Sequence, residues 1–154
     1  MNAATATRAR TPSATDAERL AADLRVAVAR LARRLRQQTG TDLTASLLSA
    51  LWSIERLEPV TLGDLAVADR VQPPTLTRIA ARLEGEGLVV RRTDANDRRV
   101  TIVQLSPDGR RLLERTRTRR TAYLTKRLRG LDPEDLATLE RAAPILERLA
   151  GEQA

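Results

Sequence analysis

Apolar residues recur along most of this chain at the three- and four-residue spacing of helices. In one central segment they follow the pattern of strands instead. Leu20, Leu24, Val28, Leu31 and Leu35 line one face of a helix over about residues 16–38. Asp16 and Glu18 at its start and Arg33, Arg34 and Arg36 at its end suit the helix dipole, and Gly40 stops it. Thr44 caps a second helix, about 45–57, with Leu47, Leu48, Leu51, Ile54 and Leu57 facing inward; Pro59 prevents its continuation. Thr61-Leu-Gly-Asp64, a Thr followed three residues later by an acid, opens a third helix near 62–68 that packs through Leu62, Leu65 and Ala66. A fourth begins at Pro73 or Pro74, since a first turn leaves unpaired the N–H that proline lacks. Ile79 and Leu83 face its inner side, and Gly87 ends it. Residues 88–93 and 99–105 read as strands. Ser106-Pro-Asp caps a long fifth helix reaching about Arg129, with Leu112, Leu113, Thr116, Tyr123 and Leu128 as candidate buried positions. Asp132-Pro-Glu-Asp135 starts a sixth, whose stripe is Leu136, Leu139, Ala143, Leu146 and Leu149, with a bend expected at Pro144.

The order of the middle elements says more than any one of them. Residues 61–106 give a short helix, a tight turn, a second helix, and two strands joined by a charged loop. A winged helix-turn-helix uses that order to present its second helix to a major groove and its hairpin loop to the flanking backbone or minor groove. If Pro74, Thr75, Thr77, Arg78 and Arg82 face out, they form a polar edge with Ile79 and Leu83 behind it. An arginine two turns into such a helix can donate two hydrogen bonds to guanine, and threonine methyl or proline ring atoms can sense a thymine methyl. Early N–H groups and hydroxyls can hold phosphate. In the loop Thr93-Asp-Ala-Asn-Asp-Arg-Arg99, Asp97 and Arg99 lie two apart, so the carboxylate can hold the guanidinium as an oriented probe for phosphate or a narrow minor groove. Arg98 offers a second cation. Alone, the helix is equally an ordinary surface helix and the loop a solvated charged turn; their combination favours DNA.

Composition narrows the classes. A chain of 154 residues has the length of one compact domain. Trp52 and Tyr123 are its only aromatics, so the core is aliphatic, which favours helix packing over a β-sandwich. With no Cys and no His, disulfides, thiolate metal sites and the commonest general base are excluded. No glycine loop with a phosphate-binding lysine and no metal-ligand cluster stands out, so neither an enzyme nor a metal or cofactor is expected. Net charge is +7, yet residues 61–106 hold seven basic against six acidic residues. The charge suits a polyanion partner without singling out the fourth helix. The fifth-helix arginines fall all round that helix and are expected to be solvated, some pairing with Glu134, Asp135 or Glu140. No run of about 18 apolar residues exists, so no membrane span is expected. Residues 1–15, without an acid or an apolar core, read as a disordered tail in preference to a signal or transit peptide, and the cytoplasm is the default location.

Taken together, these residues resemble the winged-helix regulators of the multiple antibiotic resistance regulator (MarR) family over about residues 16–150. The resemblance is carried by Thr61-Leu-Gly-Asp-Leu-Ala66, Pro74-Thr-Leu-Thr-Arg78, Leu83-Glu-x-x-Gly-Leu88, and Asp97-x-Arg99 with Leu105-Ser-Pro-Asp-Gly109. It implies a mainly α fold with a small β-hairpin wing: one DNA-binding lobe at 61–106 and dimerisation helices at 16–40 and 107–150. It implies a homodimer in which the first, fifth and sixth helices interlock, Pro74 and Arg78 touch bases, and Arg99, oriented by Asp97, enters the minor groove. It also implies a repressor relieved by a small-molecule inducer near the hinge between dimer helices and lobe, with no ligand residues to name. Trp52 could line a cavity there, but a plain core or interface tryptophan is the favoured reading. Gln72 stands where the family often has a serine cap; Gln caps poorly, which makes it a candidate DNA contact. A dimer is also expected without the family, a six-helix monomer being the alternative, because the stripes on helices one, five and six exceed what a small lobe can cover. The expected partner is double-stranded DNA bearing an inverted repeat with half-sites roughly 10 base pairs apart. The alternatives are a sequence-blind architectural DNA-binding protein and a protein-interaction module on the same fold.

Overall fold

The computed structural model describes residues 13–95 and 97–151 and divides the chain into two units, residues 1–37 and 38–154. The first unit contains α1 (Ala14–Arg36). The Ser13 hydroxyl accepts the Asp16 N–H at 3.2 Å, and the Asp16 carboxylate accepts the Ser13 N–H at 3.4 Å. This reciprocal cap starts the helix two residues earlier than its apolar spacing predicts. Residues 13–15, assigned to the tail by sequence, therefore belong to α1 and its cap; residues 1–12 lie outside the described residues. No residue of α1 is buried, and Leu20, Val28 and Leu31 of its stripe are exposed.

The second unit runs α2 (Ala45–Leu57), β1 (Val60–Thr61), α3 (Leu62–Ala68), α4 (Pro73–Gly85), β2 (Val89–Thr93), β3 (Thr101–Leu105), α5 (Pro107–Leu128) and α6 (Pro133–Leu149). Its antiparallel sheet has the order β1-β3-β2, with Val60 opposite Val103 and Val89 opposite Leu105. The fold is mainly helical with a β-hairpin wing, as expected; β1 is an addition that sequence spacing does not reveal. Leu51, Ile54, Leu65, Leu76, Leu83, Leu113 and Val103 are fully buried in one cluster. Burying each such side chain contributes about 1.5–3 kcal/mol before entropy is counted.

Several inward positions differ from the sequence reading. On α4, Leu76, Ala80 and Leu83 are buried while Ile79 is half-buried. Leu57 at the end of α2 and Leu128 at the end of α5 are exposed. α6 continues through Pro144 and has no buried residue; Leu139, Ile145, Leu146 and Leu149 remain exposed. Among the described residues no helix is long and apolar enough to cross a membrane.

Two polar junctions fix the hairpin to the helices. The Ser106 hydroxyl donates to the Gly87 carbonyl at 2.6 Å and accepts the Gly109 N–H at 3.0 Å, while the Ser106 N–H donates to the Leu88 carbonyl. The Glu58 carboxylate accepts the Leu105 N–H at 2.6 Å and pairs with Arg110, joining the end of α2 to β3 and α5.

Candidate nucleic-acid interface

The turn between α3 and α4 is set by local hydrogen bonds. Val71 N–H reaches back to the Ala66 carbonyl at 3.0 Å and Arg70 N–H to that of Val67, with Arg70 itself left-handed at φ 52°. This is a helix-terminating arrangement usually given to glycine, so a non-glycine residue there carries some strain. The Ser53 hydroxyl donates to the Asp69 carboxylate at 2.6 Å and ties the turn to α2.

With Leu76, Ala80 and Leu83 inside, helical spacing puts Pro74, Thr77, Arg78 and Ala81 on the outer face of α4, and all four are exposed. Arg78 forms no ion pair or hydrogen bond among the described residues. Gln72 occupies the N-cap position, and its side-chain amide makes no cap bond. The Thr77 hydroxyl donates to the Pro73 carbonyl at 3.0 Å, which leaves its methyl and an acceptor lone pair for a ligand. Two predicted residues stand differently from these four. Thr75 is half-buried and lines a groove with Ser46, Ser49 and Asp69, because it lies on the flank of α4 turned toward α2. Arg82 is exposed but paired with Glu86 at 2.8 Å, one turn further along.

The wing loop is organised through its backbone. The Asp94 carboxylate accepts the Asp97 N–H at 3.0 Å, the Asp97 carboxylate accepts the Arg99 N–H at 2.9 Å, and Val100 N–H closes onto the Asp97 carbonyl. Among the described residues the hydrogen bond between Asp97 and Arg99 runs from the Arg99 main-chain N–H to the carboxylate, an Asx-type turn, and none joins the carboxylate to the Arg99 guanidinium. Arg98 and Arg99 are exposed on this fixed frame; Asn96 lies outside the described residues. Arg92, on the outer face of β2, is a further exposed cation that sequence reading passed over.

The profile of the MarR family matches residues 43–101, from just before α2 to the start of β3. An uncharacterised helix-turn-helix-type transcriptional regulator of Mycobacterium leprae is 37% identical over 135 residues, covering 87% of this chain and 94% of that protein. The chain belongs to the MarR family. The crystal structure of a transcriptional regulator protein from Pseudomonas aeruginosa superposes on this MarR chain with a TM-score of 0.79 at 36% identity, covering 92% of it and all of the other. FabT of Streptococcus pneumoniae, solved in complex with DNA, has a TM-score of 0.66 over 89% of the chain and 99% of its own length; at 20% identity it shows the fold alone.

Two further features of this MarR protein were not foreseen. Three α5 arginines form ion pairs away from α6: Arg110 with Glu58, Arg111 with Asp108, and Arg117 with Glu55 and Glu114. The predicted partners Glu134, Asp135 and Glu140 pair with none of these three. Trp52, half-buried on α2, packs under Arg117 and Arg120 at 5.0 and 5.8 Å from its ring centre, a cation–π arrangement across α2 and α5. Its indole N–H is buried and makes no hydrogen bond among the described residues.

Proposed function

We propose that this MarR-family chain is a sequence-specific DNA-binding transcriptional regulator, acting in the cytoplasm as a homodimeric repressor on an inverted-repeat operator. The observation that carries this is Arg78: exposed and uncommitted, on the outer face of a helix held by three buried residues. Pro74, Thr77 and Gln72 share its end of α4 and are proposed to touch bases. Arg98 and Arg99 on the braced wing are proposed to meet the flanking backbone or minor groove, with Asp97 as the brace. Thr75 and Arg82 are proposed as edge contacts to phosphate, each requiring a change from its present environment. The relatives are regulators of transcription, and no catalytic role is proposed.

The homodimer is supported by α1 and α6, neither of which has a buried residue while both expose long apolar side chains. Soluble proteins seldom leave such faces open, and a two-fold pairing covers them and doubles α4. Relief by a small ligand is proposed on the family relationship; such coupling amounts to about 1–3 kcal/mol between ligand and DNA sites.

Selection from a random duplex pool tests this reading. The wild-type chain should enrich an inverted repeat with half-sites about 10 base pairs apart, bound by two chains in sedimentation. Enrichment of nothing, with equal affinity for scrambled duplexes, is the outcome for a sequence-blind architectural protein. On the selected duplex, Arg99→Ala should weaken binding and lower the slope of log affinity against log salt by about 1. If slope and affinity are unaltered in a titration from low to moderate salt, the wing does not reach the DNA.

A further inference from the structure

Glu84 and Arg91 contribute nothing to the outer face of α4 or to the wing tip, yet they join the two. Glu84 stands in the last turn of α4, and Arg91 in β2 opposite Val103. Alternation along β2 puts Arg91 on the same side as the buried Val89, with Val90 and Arg92 exposed on the other. The Arg91 Nε donates to Glu84 Oε2 at 2.7 Å, and Nη2 makes a second contact with the same oxygen. Their side chains are only 28% and 39% exposed. Between them the chain turns at Gly87, left-handed at φ 70°, so the covalent link is a tight bend.

We infer that the Glu84–Arg91 pair is a strut that sets the angle between α4 and the wing, and thereby the spacing between base contacts and flanking contacts on DNA. This rests on the DNA-binding reading above. Two N–H groups converging on one carboxylate oxygen hold that oxygen near the guanidinium plane, which a single N–H contact does not achieve. Without the pair, α4 and the hairpin still share the core formed by Leu83, Val89 and Val103, but their mutual angle is held less tightly, and DNA must order the wing at the cost of affinity. Glu84 and Arg91 are positioning residues; neither is placed to touch DNA.

The test uses the full chain, the duplex it selects, and Glu84→Gln, which keeps shape and removes charge. Affinity should fall roughly three- to tenfold. Hydroxyl-radical protection should vanish at the outer positions and persist at the centre, while the thermal midpoint stays within about 2 °C because a partly exposed pair adds little stability. The swap Glu84→Arg with Arg91→Glu should restore the outer protection. An unchanged Glu84→Gln footprint on a duplex the wild type binds overturns the strut alone. Uniform weakening with a lowered midpoint, or a swap that restores nothing, also overturns it. A wild-type chain that selects no duplex sinks the DNA reading and the strut together.

Discussion

Replacing Gly109 with alanine is expected to destabilise the winged lobe by about 2–4 kcal/mol, even though alanine is the better helix former by about 1 kcal/mol. Gly109 lies in the first turn of α5 and is buried. A methyl group there would stand 2.1 Å from the Leu88 carbonyl oxygen and 3.1 Å from its carbon. Both are backbone atoms, so no rotamer change relieves the clash. The carbonyl cannot simply retreat, because it accepts the Ser106 N–H and the adjacent Gly87 carbonyl accepts the Ser106 hydroxyl. Either those bonds break or the start of β2 moves away from α5, and the wing moves with it. Gly85 is the matched control: it ends α4, and an added methyl would meet nothing within 4 Å. Gly85→Ala should leave stability unchanged or raise it by up to about 1 kcal/mol. Urea unfolding of both variants at one protein concentration separates the two effects, the fixed concentration guarding against a contribution from self-association. A Gly109→Ala midpoint equal to wild type would mean that the Leu88 carbonyl yields easily and the junction is not rigid.

Where the chain carries its own local signals, structure and sequence agree closely. Thr44, Thr61, Ser106 and Asp132 each accept a hydrogen bond from a first-turn N–H, and each helix begins where its cap predicts. Disagreement begins where a partner distant in sequence decides. Val60 and Thr61 form a strand only because Val103 and Ile102 pair with them, and two β-branched residues between helices give no periodicity to read. On α4 the hydrophobic ranking favours Ile79, yet Ala80 takes the deeper position: burial follows the face that meets the sheet and α2, and a small residue permits the closer approach. Asp97 and Arg99 were placed correctly at the hairpin tip, but spacing alone cannot say whether a carboxylate meets a guanidinium or the main-chain N–H of the same residue. Glu84 and Arg91 look like surface charges seven apart; only the bend at Gly87 brings them together.

The outer face of α4 was the most legible part of the candidate site, and it gives the second large effect. Arg78→Ala is expected to lower affinity for the selected duplex by about 1–3 kcal/mol, roughly 5- to 150-fold, with discrimination lost at one base pair in each half-site. The stability cost should be small, within about 0.5 kcal/mol, since the side chain is exposed and makes no ion pair among the described residues. An arginine without a competing carboxylate gives up only its hydration to reach a guanine edge. Arg82, four residues on, must also leave Glu86, so Arg82→Ala should cost less affinity and blur no single position. The pair of variants therefore distinguishes base reading from general attraction. Fluorescence anisotropy against the selected duplex and its single-base variants, at fixed salt, gives both numbers. Equal losses for Arg78→Ala and Arg82→Ala, spread evenly over all base variants, would reduce α4 to a backbone contact and move sequence preference to the shape of the DNA itself.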